Sequence, residues 1–440
     1  MGRHPLTLCA LSLLATPVFA QETPKDWPEF LGPNRTGRVE ASGLNFDWGE
    51  EGPEVAWMAS VGEGFGGPAV RDGEVYLLDR EVGSLDLLRV FDLESGDELW
   101  SVEWEAEGRL IFPGSRTVPN VQKDRVYLSS GFGHVLCIDR KTHEIEWEVD
   151  MREVFGGEQP MFGWANSPLI IDDLLIVSPL GQEVGLVALD RFTGEDAWFT
   201  ESLGYSHSTP RLLNLLGEDQ ILFLSNTTRG SRRSAATPMM ISSFAPEDGE
   251  LIWSHETKLT RLPIPGPIRI DDNHIFVTGG YRGGSTLLQI EKKTSGYEFE
   301  ELFHIDRGSQ VHTPLLHGDL LYLIVNENWN HDSRARRKEG GLMCLDLEGT
   351  ELWRTADAPY FGRGNSILAG DHLIIQDGLN GVLRVVEASA KGYQQIAEAN
   401  LFEIDDRSDH RMWAPMALAS GMLVLRSQED LMCVRLVDEL

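Results

Sequence analysis

The sequence predicts an all-β chain folded as an eight-bladed β-propeller of four-stranded antiparallel blades. Three observations lead there. Six tryptophans, Trp57, Trp100, Trp147, Trp198, Trp253 and Trp353, each close the second strand of a hairpin and recur with a period near fifty residues. Eight short apolar segments open in the same way, seven of them after a proline. The final repeat stops one strand short, while a spare Trp-bearing strand stands near the start of the chain.

The hairpins read FDLESGDELW, IDRKTHEIEW, LDRFTGEDAW, FAPEDGELIW and LDLEGTELW. Asp92, Asp139 and Asp190 stand eight residues before Trp100, Trp147 and Trp198; Ala245 takes that place before Trp253, and Asp346 precedes Trp353 by seven. An Asp before a polar turn holds the turn through its own carboxylate, and a Trp at the end of an outer strand packs between blades, so both are read as structural.

The blade starts are Gly67-Pro68, Val118-Pro119, Ser167-Pro168, Thr209-Pro210, Gly266-Pro267, Thr313-Pro314 and Ala414-Pro415, with Asn365-Ser366 in the remaining blade. Proline is tolerated at the first residue of a strand. Residues 413–440 supply three strands only, and PEVAWM, ending at Met58, supplies the missing outer strand. Closing the last blade with the first strand leaves no long open edge. The expected organisation is a signal over 1–20, an extended arm over 21–53 and the propeller over 54–440.

Residues 1–20 carry Arg3 and His4, a mostly apolar run over 6–14 and Val18-Phe19-Ala20 as a small-residue cleavage site. Export to the periplasm or beyond the cell is expected, with no transmembrane segment. Cys9 lies inside the apolar run, a poor place for a lipid. The formal net charge of −31 excludes nucleic acid and anionic lipid as partners without a local basic patch. Cys137, Cys344 and Cys433 fill one small buried slot in three different blades, where Ala188 stands in a fourth, so free thiols are expected.

The repeat resembles that of pyrroloquinoline-quinone (PQQ)-like propellers over residues 54–440. The opening DWPEFLGPNRTG, 26–37, resembles that of an exported bacterial group of such propellers. Two relatives imply different functions. Quinoprotein alcohol dehydrogenases carry adjacent cysteines over the quinone and calcium-binding carboxylates; this chain has no Cys-Cys and is shorter. BamB, an outer-membrane assembly lipoprotein, is an eight-bladed propeller without cofactor; this chain has no lipobox and adds the arm.

The loops between blades and the hairpins between second and third strands emerge on one face. Near the channel this face gathers Phe65, Arg116, Trp164, Asn166, His207, His312, Arg363, Asn365, Arg411 and Trp413. Two long hairpins add Arg229, Arg232 and Arg233, then Trp329, Arg334, Arg336, Arg337 and Lys338. An acidic protein thus concentrates cations on one face, either as a receptor with Trp329, Trp164 and Trp413 as anchors or as solvated insertions. His207 and His312, in SHST and VHTP, read as hydrogen-bonded structural histidines. No HxxxH, HExxH or CxxC spacing supports a metal. GEGFGG, 62–67, precedes no helix and fails as a phosphate loop.

The reading is a monomeric, non-catalytic binding or scaffold module of the cell envelope that takes a protein or an anionic envelope ligand. No cofactor or metal is expected. A PQQ-dependent oxidoreductase and a carbohydrate-binding or carbohydrate-processing propeller are the alternatives.

Overall fold

The computed structural model describes residues 23–81, 84–226, 239–260, 262–326, 337–402 and 411–437. They form eight antiparallel sheets of four strands, one of which gains a fifth, parallel strand from the arm. Blades 1 to 7 span 69–105, 120–150, 169–201, 211–257, 268–305, 315–354 and 365–399. Blade 8 joins the strands Ala417–Ala419, Met422–Arg426 and Asp430–Arg435 to the strand Glu54–Ser60, which pairs antiparallel with Asp430–Arg435. The expected closure is therefore present. No helix among the described residues is long and apolar enough to cross a membrane.

Burial follows from position in the blade. Second and third strands are covered on both faces and are almost wholly buried, as in Glu74–Arg80. Outer strands meet solvent and mix exposed and buried residues, as in Glu98–Glu105. Core clusters run across blade boundaries: Tyr127 of blade 2, Leu175 of blade 3 and Ile221 of blade 4 belong to one. No blade buries its faces alone, which is why the ring must close.

The repeat tryptophans lock five of the blades to the next. The indole N–H groups of Trp57, Trp147, Trp198 and Trp353 donate to the carbonyls of Leu93, Arg191, Pro246 and Ser389, each in the turn of the following blade. Trp100 instead stacks on His143, centroids 4.2 Å apart. The turn must offer the ring a flat seat. At Gly194 (φ 77°) a Cβ would lie 2.8 Å from the Trp147 ring, so both conformation and space call for glycine. The repeat aspartates hold these turns: Asp190 accepts the N–H groups of Phe192 and Thr193, both at 2.9 Å. Trp253 departs from the pattern and donates to Gln220 of its own blade at 2.9 Å.

Cys137, Cys433 and Cys344 lie opposite Trp147, Trp57 and Trp353 in the strand register, as Ala188 lies opposite Trp198. A small residue is needed beside the indole. All three cysteines are free and buried.

The arm does more than its polar, Gly- and Pro-rich composition suggests. It runs around the channel at the end where the innermost strands finish, meeting the blades in turn. Ser420 of blade 8 donates to the Pro24 carbonyl at 2.7 Å, Trp27 and Val70 of blade 1 exchange two hydrogen bonds of 2.8 Å, and Val121 of blade 2 donates to Pro28 at 2.8 Å. Arg35 then donates to Ile170 of blade 3 at 2.7 Å, Arg211 of blade 4 donates to the Arg35 carbonyl, and Arg38–Val39 pairs with Leu368 and Ala369 of blade 7. Gly32 (φ 75°) sits against the buried Trp27 indole, 2.8 Å from where its Cβ would be. Inside this turn Glu29 accepts from Arg35 at 2.9 Å and Asn120 at 3.0 Å, with the fully buried Arg211 close by. Burial raises the Glu29 pKa, and its neighbouring cations oppose that rise.

Candidate functional site

At the opposite end, where the innermost strands begin, the loops enclose a cavity of about 1000 Å³. Every one of the eight blade junctions contributes to its wall, and Phe30 and Leu31 of the arm also line it. With the arm running around the far end of the channel, these two side chains form its floor. The arm, expected as an extended segment over 21–53, thus underlies the cavity and makes it a bowl.

One wall is a continuous array of rings and guanidinium groups. Phe65 stacks on Trp413 at 5.2 Å, and Phe112 meets Trp413 edge-on at 5.5 Å. Arg363 lies over Trp413 at 5.0 Å, Arg411 over Phe112 at 4.9 Å and Arg116 over Phe65 at 5.6 Å. Arg363 Nε donates to Gln310 at 2.8 Å, and Gln310 Nε2 donates to the Tyr281 hydroxyl at 2.8 Å, which fixes the orientation of the group. Arg116 donates to the carbonyls of Phe162, Phe112 and Gly114. Burial lowers its pKa to about 10, so it remains a cation at neutral pH. Among the described residues, three arginines and a single carboxylate, Glu158, line the cavity.

His207 reaches the cavity wall with its Nε2 2.6 Å from the Tyr205 hydroxyl, which accepts the Met161 N–H at 3.3 Å. Burial and then the charge of Arg116 lower its pKa to about 3, so the ring is neutral. The site thus offers aromatic surface, cations and neutral hydrogen-bonding groups.

The structure brings Arg116, His207, Arg363 and Trp413 together around this cavity, with Phe65, Asn365 and Arg411. Trp164 and His312 are corrected: neither lines it. Trp164 is fully buried, its indole N–H donating to Pro179 at 3.2 Å, so it cannot serve as an exposed anchor. His312 is buried behind the wall with Nε2 2.5 Å from Ser366 Oγ. Both were grouped with the channel because they flank innermost strands, but their side chains turn into the blade seams. Arg337 opens a short 3-10 turn, Arg337–Glu339, with its guanidinium over Tyr360 at 5.6 Å, and does not line the cavity. Trp329, Arg334, Arg336, Arg229, Arg232 and Arg233 lie outside the described residues.

Sequence reasoning missed Phe112, Phe162, Tyr205, Tyr281 and Gln310, which complete the cavity. For Phe112, Phe162 and Tyr205 the available signal was an aromatic residue in a junction loop. Phe30 and Leu31 had no such signal, because only the fold carries the arm under the channel.

Residues 85–237 match the family model for outer membrane protein assembly factor BamB. BamB of Shewanella oneidensis is 26% identical over 158 residues, 33% of this chain and 36% of that protein, so the chain spans about a third of the length of this curated relative. The chain is an eight-bladed β-propeller whose repeat is similar to that of PQQ-like propellers. Solved structures share the fold: BamB of Moraxella catarrhalis at 14% identity, TM-score 0.53, covers 86% of this chain and 98% of its own. A quinohemoprotein alcohol dehydrogenase of Pseudomonas putida HK5, at 11% identity and TM-score 0.64, covers 95% of this chain and 82% of its own. These likenesses carry fold and not chemistry.

The described residues on the cavity wall do not fit a calcium site for quinone catalysis. Calcium needs several oxygen ligands, carboxylates foremost. Among the described residues, Glu158 is the one carboxylate on the cavity wall, and no cluster of three or more His, Cys, Asp or Glu side chains could hold a metal ion.

Proposed function

We propose that this PQQ-like propeller is an exported, non-catalytic binding module of the cell envelope, holding an anionic, partly apolar ligand or partner segment in the bowl. The observation that carries this reading is the arginine–aromatic wall in a protein of net charge −31. Cations held over aromatic rings inside a cavity attract anions that the rest of the acidic surface repels. The name of the BamB relatives, outer membrane protein assembly factor, supports an envelope scaffold role, and residues 1–20 support export.

The test uses the anionic aromatic dye 1-anilinonaphthalene-8-sulfonate on the folded protein. The dye binds at one site, more weakly as salt rises. Arg411→Gln or Trp413→Ala weakens it by roughly tenfold, as removal of a central interface group does. Dye binding unchanged in both variants would refute the bowl as the site. Alcohol oxidation after addition of PQQ and calcium would instead favour the oxidoreductase alternative.

A further inference from the structure

We infer that the bowl takes a small organic acid with an apolar body, whose carboxylate is held by the neutral side chains of Ser167, Thr209, Thr313 and Asn365 and not by the arginines. The inference rests on the binding reading above and names the ligand class and the residues that grip it.

The four residues occupy one repeat position. They stand where the innermost strands of blades 3, 4, 6 and 7 begin, and all four line the cavity. None is more than 9% exposed. Three of them give an oxygen to the backbone. Ser167 Oγ accepts the Val118 N–H at 3.0 Å, Thr209 Oγ1 accepts the Ser167 N–H at 3.1 Å, and Asn365 Oδ1 accepts the Ser366 N–H at 2.9 Å. What remains is a set of donors. The hydroxyl hydrogens of Ser167 and Thr209 and the amide hydrogens of Asn365 find no acceptor among the described residues, and Thr313 Oγ1 has no hydrogen-bond partner there at all.

Spare donors select the ligand. An ionised carboxylate has lone pairs and no hydrogen to give, whereas a sugar hydroxyl or an amide brings donors of its own. The attraction for charge comes from Arg116, Arg363 and Arg411 on the same wall, faced by the single described carboxylate, Glu158. A cation acts at a distance whatever its N–H groups bond to, so these arginines need no free edge. A doubly charged phosphate fits less well. It is ordinarily met by guanidinium forks, and Arg116 gives its N–H groups to the carbonyls of Phe162, Phe112 and Gly114.

The apolar body has its own surface. In the loops that lead into these strands, the half-buried rings of Phe65, Trp413, Phe112 and Phe162 form a continuous strip, with neighbouring centroids 5.2 to 5.5 Å apart. Apolar surface with a few placed polar groups is the usual composition of a small-molecule site.

Calorimetry on the folded protein compares 1-naphthaleneacetate, its neutral amide and 1-naphthyl phosphate. The acid is expected to bind roughly tenfold or more tightly than the amide, which sets a donor against donors, and more tightly than the phosphate. Thr313→Val removes one donor and keeps the shape; it is expected to weaken the acid roughly tenfold and to leave the amide within about twofold. Asn365→Asp keeps an oxygen for the Ser366 N–H but sets a like charge against the acid, so the amide is expected to become the better ligand. Either variant decides alone if the other fails to fold. An acid-to-amide ratio unchanged in the folded variants, an amide or phosphate bound as tightly as the acid, or no acid binding while the dye still binds in the bowl would each overturn this inference alone. Absence of dye binding removes the binding reading with it.

Discussion

The two ends of the channel handle arginine in opposite ways. At the arm end, the buried Arg211 and the half-buried Arg35 are matched by a carboxylate from the chain itself, Glu29, and by carbonyls. At the bowl end, Arg116, Arg363 and Arg411 are backed by aromatic rings, and among the described residues Glu158 is the single carboxylate on the wall. A buried charge without a counter-charge is costly, and the arm end removes that cost by bringing its own. The bowl end instead sets its three arginines against rings on the wall of a cavity of about 1000 Å³. The arm end ties blades 3 and 4 to the arm, and the proposed function assigns binding to the bowl end.

The comparison is tested most severely by removing residues 21–61. This takes away the arm and the strand Glu54–Ser60, with the Trp57 lock on Leu93, and exposes the edge of blade 8. Aggregation on size-exclusion chromatography is expected; a monodisperse protein with an unchanged melting temperature would break the closure argument.

Glu29→Ala comes next. It leaves Arg211 buried beside Arg35 without the carboxylate, a loss of about 3–5 kcal/mol on denaturant unfolding. Replacing Glu29 and Arg211 together by Leu and Met should recover much of this loss, because the lone buried charge is then gone.

Acid acts on the histidines around the bowl. His207 and His312 have folded pKa values lowered from 6.5 to about 3 by burial. Below about pH 6.5 the unfolded chain takes up protons that the folded one refuses, so stability is lost as pH falls and is unaffected above that value. Each ring contributes a slope of up to about 1.4 kcal/mol per pH unit. His207→Gln should reduce the slope of urea stability between pH 6 and pH 4 by one proton's worth; an unchanged slope would mean that His207 takes a proton in the folded state.

Arg411→Gln should have the smallest effect on folding, within about 0.5 kcal/mol, while weakening dye binding. A large loss of stability there would erase the distinction between the two ends.

The sequence by itself determined the ring. Tryptophans at a fixed distance from turn aspartates, prolines before innermost strands and a short last repeat defined eight blades and their closure, because each is a local requirement repeated along the chain. Even the small cysteine slot was legible, since whatever faces an indole across a strand pair must be small. Seven of the ten junction residues named from the sequence, Phe65, Arg116, His207, Arg363, Asn365, Arg411 and Trp413, could be placed at the channel mouth because junction loops converge there in any propeller. What only the tertiary structure decided is which way each side chain turns and what covers the far end. Trp164 and His312 have the same neighbours in sequence as true lining residues, yet they point into blade seams, where apolar packing and a serine partner receive them. The arm's course beneath blades 8, 1, 2, 3, 4 and 7 could not be read from DWPEFLGPNRTG, because its partners, from Val70 to Leu368, are brought within reach only when the ring has closed.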